Sequence, residues 1–154
     1  MLGPGSTAPD FTLRSTIGDP ITLSQYKGDK PVVLVFIPFA FTGVCQGELC
    51  EIRDDYSMFS GGDKNAQVLV VTCDSSPVQK KWAEEQGFTF PLLTDFWPHG
   101  DVARSYQNFN DQLGCAMRGT FVIDKDGTIV ASFDSGALGT PRSRADYEAA
   151  LAKL

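Results

Sequence analysis

Pro31-Val32-Val33-Leu34-Val35-Phe36-Ile37-Pro38-Phe39-Ala40-Phe41-Thr42-Gly43-Val44-Cys45 is the stretch on which the fold turns. Residues 31–37 form a short, almost purely apolar and β-branched run bounded by prolines. Such a run predicts a strand buried on both faces, and hence a central one. From Cys45 onward the pattern changes. Cys45, Leu49, Ile52, Tyr56 and Phe59 follow one another at spacings of four, three, four and three, the period of an amphipathic helix. Gly61-Gly62 ends it. A buried strand therefore runs through a loop, residues 38–44, into a helix that Cys45 begins.

Farther along, Gln67 to Thr72 repeats the buried-strand signal and leads into Ser75-Ser76-Pro77. A serine cap and a proline in the first turn predict a helix there, reaching about Gln86 and stopped by Gly87. Gly119 to Asp124 and Thr128 to Phe133 flank Lys125-Asp126-Gly127, a hairpin signal that makes these strands antiparallel. A last helix, about Arg144 to Lys153, has Ser143 as its cap. Strand, helix, strand, helix, strand and hairpin make an α/β pattern: a thioredoxin-like three-layer sandwich with a mixed central sheet. No repeat or linker interrupts residues 1–154, which are expected to form one domain.

Composition narrows the function classes. Nineteen acidic against thirteen basic residues leave a formal charge of -6, which repels a phosphate backbone and disfavours nucleic acid. The longest apolar stretch, about Val32 to Phe41, is broken by Pro38 and is short of the ~20 residues of a membrane helix. The opening Met1-Leu2-Gly3-Pro4-Gly5 shows no leader peptide, so a cytoplasmic location is expected. Four cysteines without Cys-x2-Cys spacing and one histidine, His99, offer no metal-ligand set. No cofactor is expected.

Cys45 carries the chemistry. Unpaired backbone N–H groups and the positive dipole end at a helix N-terminus stabilise a thiolate relative to a thiol. Thr42, three residues earlier, is able to hydrogen-bond beside it, and Pro38 fixes the loop. Against this stands the ordinary fate of cysteine as a small buried hydrophobe. A cysteine–histidine hydrolase pair of Cys45 with His99 and a non-enzymatic redox sensor are further readings of the same residues.

Pro38-x3-Thr42-x2-Cys45 resembles the active-site motif of peroxiredoxins, Pro-x3-Thr/Ser-x2-Cys. Gly5-Ser6-Thr7-Ala8-Pro9-Asp10-Phe11-Thr12-Leu13 looks like that family's N-terminal hairpin opening. Arg118-Gly119-Thr120-Phe121-Val122-Ile123-Asp124 is similar to the late strand carrying its arginine. Ala40 to Leu49 and Asp95 to Gly100 most resemble the AhpE-type members of actinobacteria. The resemblance implies that Cys45 attacks the terminal peroxide oxygen and becomes a sulfenic acid. It also implies that Thr42 orients the peroxide, that Arg118 favours the thiolate and the developing charge, and that Pro38 covers the pocket. Glu48 matches a position that holds the arginine. The third reading, a sensor, would not need Thr42 and Arg118 together.

One cysteine departs from the AhpE pattern. Cys45-x4-Cys50 resembles the bacterioferritin comigratory protein group, in which the second cysteine resolves the sulfenic acid as an intramolecular disulfide. In a regular helix residues five apart have Cα atoms about 8.7 Å from each other, beyond the roughly 7 Å limit for a disulfide. The helix start must therefore unwind for the bond to close. The alternative is an inert Cys50 and an external thiol. Cys115 is a distant second candidate and Cys73 reads as core. The resemblance implies a hydroperoxide substrate (hydrogen peroxide, an organic hydroperoxide or peroxynitrite) and mycoredoxin, mycothiol or thioredoxin as reductant. Phe39, Phe41, Phe90, Phe96 and Trp97 read most simply as core and loop packing, while the resemblance implies that aromatics near these loops line the substrate pocket and a homodimer contact through the loop face.

Overall fold

A computed structural model of the protein describes residues 1–154. Nine strands occur in chain order: β1 (Thr12–Ser15), β2 (Ile21–Thr22), β3 (Val32–Phe36), β4 (Gln67–Thr72), β5 (Leu92–Thr94), β6 (Phe109–Asn110), β7 (Cys115–Ala116), β8 (Thr120–Ile123) and β9 (Ile129–Phe133). The helices are α1 (Gly43–Asp54), α2 (Ser57–Ser60), α3 (Ser76–Gln86), α4 (Asp101–Ser105) and α5 (Arg144–Leu151). Seven strands form one sheet in the order β2-β1-β5-β4-β3-β8-β9, and β6 and β7 form a separate ribbon. β3 pairs parallel with β4 and antiparallel with β8, so the sheet is mixed as the sequence predicts.

The two faces of β3 explain the layers. Side chains alternate along a strand, and Val33 and Val35 enter one core with Leu49 and Ile52 of α1, Trp82 of α3 and Tyr147 of α5. Val32, Leu34 and Phe36 enter the other, with Val102 and Ala103 of α4 and Phe11 of the N-terminal segment. Helices thus cover both faces, which makes the fold a three-layer thioredoxin-like sandwich. The N-terminal hairpin β1–β2 joins the sheet by antiparallel pairing of β1 with β5. The predicted hairpin is also present as β8–β9. No helix is long and apolar enough to cross a membrane.

Three boundaries differ from the sequence reading. The helix expected from Cys45 to Phe59 starts earlier, at Gly43, and breaks at Asp55, whose φ of -123° and ψ of 42° leave the helical region. The break has distant causes: the Asp55 carboxylate pairs with Arg144, and the Tyr56 ring stacks on Phe90 with centroids 6.2 Å apart. The last helix ends at Leu151 rather than Lys153. Its cap is as predicted: the Ser143 hydroxyl accepts from the Asp146 amide, and the Asp146 carboxylate accepts in return from the Ser143 amide. Gly87, at φ 66°, stops α3 in the left-handed conformation that favours glycine.

Candidate active site

The loop leaving β3 sets the site. Pro38 is buried where the strand ends. At the next turn Phe41 adopts φ 59°, a conformation L residues other than asparagine and aspartate seldom take. Its ring lies 6.0 Å from that of Trp82. Thr42 then caps α1 in an extended conformation, which leaves the amides of the first turn without helical partners. The Thr42 hydroxyl does not cap them but donates to the Phe39 carbonyl at 2.8 Å. Cys45, in that first turn, is 1% exposed.

Arg118 arrives from the short connection between β7 and β8. Its Nη2 donates to Cys45 Sγ at 3.1 Å, its Nη1 to Glu48 Oε2 at 2.5 Å, and its Nε to the Leu138 carbonyl at 2.5 Å. With three directions fixed, the guanidinium fork is held in one plane against the sulfur. Glu48 is one helical turn after Cys45 on the buried face of α1. Cys45, Glu48 and Arg118 are therefore brought into direct contact.

Arg142 completes the cluster. Its backbone amide and Nε donate to Glu48 Oε1 at 2.7 and 3.0 Å, and its Nη2 to Glu48 Oε2 at 3.0 Å. Nη1 reaches the carbonyls of Phe36 and Gly119 and the Thr120 hydroxyl. Burial pulls this guanidinium down, and the neighbouring Tyr147 and Glu48 more than reverse the effect, so it stands above its ordinary value. Nothing in Gly139-Thr140-Pro141-Arg142-Ser143 signals an inward arginine. The stretch lacks an apolar period, and the partners that bury it are distant in the chain.

Two further residues escaped the sequence reading. Asp74 accepts from the Ala40 amide at 2.8 Å and so pins the loop to the end of β4. Asn108, 3% exposed, packs so closely on Gly119 that a Cβ there would lie 2.5 Å from its Oδ1. Glycine beside Arg118 is required by that approach.

None of the other three thiols is bonded to Cys45. Cys50 is half-buried, its Sγ 3.8 Å from Gln86 Oε1 on α3, and it is not bonded to Cys45. Burial, helped by Asp95, pushes Cys73 up to about 12, and burial also raises Cys115. Burial thus disfavours the thiolate form of both. His99 turns both ring nitrogens to carbonyl oxygens, Gly114 at 2.7 Å and Phe96 at 3.2 Å; it makes no pair with Cys45.

Residues 4–132 match the AhpC/TSA family. The chain belongs to this family, the peroxiredoxins. Over 129 residues it is 53% identical to the alkyl hydroperoxide reductase E of Mycobacterium tuberculosis, covering 84% of this chain and 83% of that one. Peroxiredoxin Bcp of Bacillus subtilis is 34% identical over 130 residues, 82% of this chain and 81% of the relative. Of solved structures, the peroxidoxin BcpB from Mycobacterium tuberculosis has a TM-score of 0.84 at 33% identity, covering 99% of this chain and 96% of that chain. This peroxiredoxin is an enzyme, a thiol peroxidase similar to the AhpE group.

Proposed function

We propose that this peroxiredoxin reduces hydroperoxides with Cys45 as the attacking thiolate and Cys50 as the resolving thiol. The observation that carries the first half is the Arg118 guanidinium, only 4% exposed, donating to a Cys45 sulfur at the N-terminus of α1 at 3.1 Å. There the sulfur attacks the terminal oxygen of the peroxide. An S–O bond forms, the O–O bond breaks, the sulfur loses two electrons, and the alkoxide or hydroxide leaves as alcohol or water after taking a proton. Arg118 and the free amides of the first turn stabilise the charge that develops on the oxygens. Because the Thr42 hydrogen is committed to the Phe39 carbonyl, its lone pairs face outward to accept the O–H of the hydroperoxide.

Resolution needs a larger change. The Cys50 thiolate would attack the sulfenic sulfur, forming S–S and releasing the oxygen as water. α1 is continuous through both cysteines, so its first turns must open. A second reading, external resolution by mycoredoxin or mycothiol, is favoured by the Cys50 thiol facing Gln86 rather than Cys45. Thioredoxin fits the disulfide route. Phe39, Phe41, Phe96 and Trp97, exposed by 41, 49, 52 and 83%, support a homodimer through this face.

The test is intact mass after one equivalent of hydrogen peroxide, on the parent, Cys45→Ser and Cys50→Ser proteins. Loss of two hydrogens requiring both cysteines is the expected result. Accumulation of one added oxygen, unchanged by Cys50→Ser, selects external resolution; no rapid reaction at Cys45 overturns the proposal.

A further inference from the structure

We infer that Asp74 is a positioning residue for peroxide reduction, acting through a single peptide plane on the Thr42 hydroxyl. The inference rests on the reading of Thr42 as the group that faces the peroxide. The Ala40 N–H donates to Asp74 Oδ2 at 2.8 Å, and the Phe39 carbonyl accepts from Thr42 Oγ1 at 2.8 Å. That N–H and that C=O belong to one planar peptide unit. Rotating the unit about its neighbours would break both bonds, so the carboxylate that holds the amide also fixes the direction in which the threonine hydrogen points.

Asp74 is itself aimed from the sheet. The Thr72 hydroxyl donates to the same Oδ2 at 2.7 Å, while accepting from the Asp74 amide at 3.0 Å and from Gln79 Nε2 at 3.0 Å. A hydroxyl has one hydrogen and two lone pairs, so all three are used and its orientation is locked. Gln79 also donates to the Leu93 carbonyl of β5 at 2.7 Å, and both Gln79 and Thr72 are fully buried. The Thr94 hydroxyl donates to the Asp74 carbonyl at 2.5 Å. Each link polarises the next. The chain runs from the end of β5 through Gln79, Thr72 and Asp74 to the Phe39–Ala40 peptide and ends on Thr42. Asp74 touches neither sulfur nor peroxide; it orients the residue that does.

Both bonds use the same carboxylate oxygen, which separates shape from charge. Asp74→Asn, with its amide oxygen in that place, keeps both acceptances and loses only the charge. Asp74→Ala removes them.

The experiment measures two rates on the parent, Asp74→Ala, Asp74→Asn, Thr42→Val and the Asp74→Ala/Thr42→Val double variant. One is the second-order rate of Cys45 oxidation by hydrogen peroxide. The other is alkylation of Cys45 by iodoacetamide, which needs the thiolate but no peroxide pocket. Asp74→Ala is expected to lower the peroxide rate about tenfold, as small misplacements of reacting groups do, with alkylation unchanged, Asp74→Asn at parental rate, and no further loss on adding Asp74→Ala to Thr42→Val. Should Asp74→Ala not fold, Asp74→Ser serves, because its oxygen is one bond too short to reach Ala40. If Thr42→Val is as fast as the parent, the reading of Thr42 fails and the inference with it. If Thr42→Val is slow but Asp74→Ala is fast, the inference alone fails. It fails also if alkylation drops in parallel, if Asp74→Asn is as slow as Asp74→Ala, or if the losses add in the double variant.

Discussion

Glu48 lies between Cys45 and Cys50 in the chain and between Arg118 and Arg142 in space, its Oε2 accepting from the first at 2.5 Å and from the second at 3.0 Å. The carboxylate that aligns the arginine on the sulfur is therefore part of the same helical turns that a Cys45–Cys50 bond would have to open. On the proposed mechanism, the arrangement for attack and the arrangement for resolution exclude each other.

An expected consequence is that oxidation reaches the C-terminal segment. Opening α1 removes Glu48 from the Arg142 amide and frees Arg118, which otherwise holds the Leu138 carbonyl. Amide exchange by mass spectrometry on the oxidised parent should show lost protection at 45–50 and also at 138–147. The same treatment of Cys50→Ser should leave both segments protected; unchanged exchange at 138–147 in the disulfide form refutes this link.

Removing the shared carboxylate should be costly to stability. Glu48→Ala strands two guanidiniums, with side chains 4 and 0% exposed, and losing one partner of a buried pair typically costs about 3–5 kcal/mol. Urea denaturation should register that loss. A loss under ~1 kcal/mol would mean that water or other groups replace the carboxylate.

Arg118→Lys should keep the charge and lose the function. A lysine ammonium lacks the planar fork that joins sulfur, Glu48 and the Leu138 carbonyl. Cys45 oxidation, followed by stopped flow, is expected to slow about 100-fold, the scale of losing one preorganised donor to a developing oxyanion. A rate within threefold of the parent would show that charge alone suffices.

Trp82 should report the state of the site. Its indole donates to Gln46 Oε1 at 3.1 Å, next to Cys45 in the chain, and its ring adjoins Phe41. Trp97, the other of two tryptophans, is 83% exposed. Intrinsic fluorescence should change on oxidation in the parent and in Trp97→Phe but stay flat in Trp82→Phe. The reverse pattern would place the signal on the exposed ring.

Asp95 predicts a pH dependence. Burial raises its carboxyl from 3.8 to about 6, against the opposing amides of Ala103 and Val102 that it accepts. A carboxyl that holds its proton more tightly folded than unfolded gains stability at low pH and loses it as pH rises from about 4 to about 6, with no further change above. Thermal unfolding of Asp95→Asn, compared with the parent across that range, should lack this component of the slope; identical slopes would remove Asp95 as its source.

The parts of the molecule differ in how far their causes reach. β3 was readable because residues 32–36 are all buried, and a strand covered on both faces shows as an unbroken apolar run. The α1 boundary at Asp55 was not, because the apolar period continues through Tyr56 and Phe59 while the break is made by Arg144 and Phe90, remote in sequence. Pro38, Thr42 and Cys45 share one short loop and form a local pattern. Arg118 and Glu48 entered only through the family resemblance. Arg142 and Asp74 had no local signal, since what defines each is a partner 94 or 34 residues away.

The alternation along β3 has a consequence for oxidative damage. Cys45 belongs to the core on one side of the sheet and Cys73 to the core on the other. Burial disfavours the Cys73 thiolate, whereas Cys45 has a guanidinium donating to its sulfur, so oxidation is expected at Cys45 before Cys73.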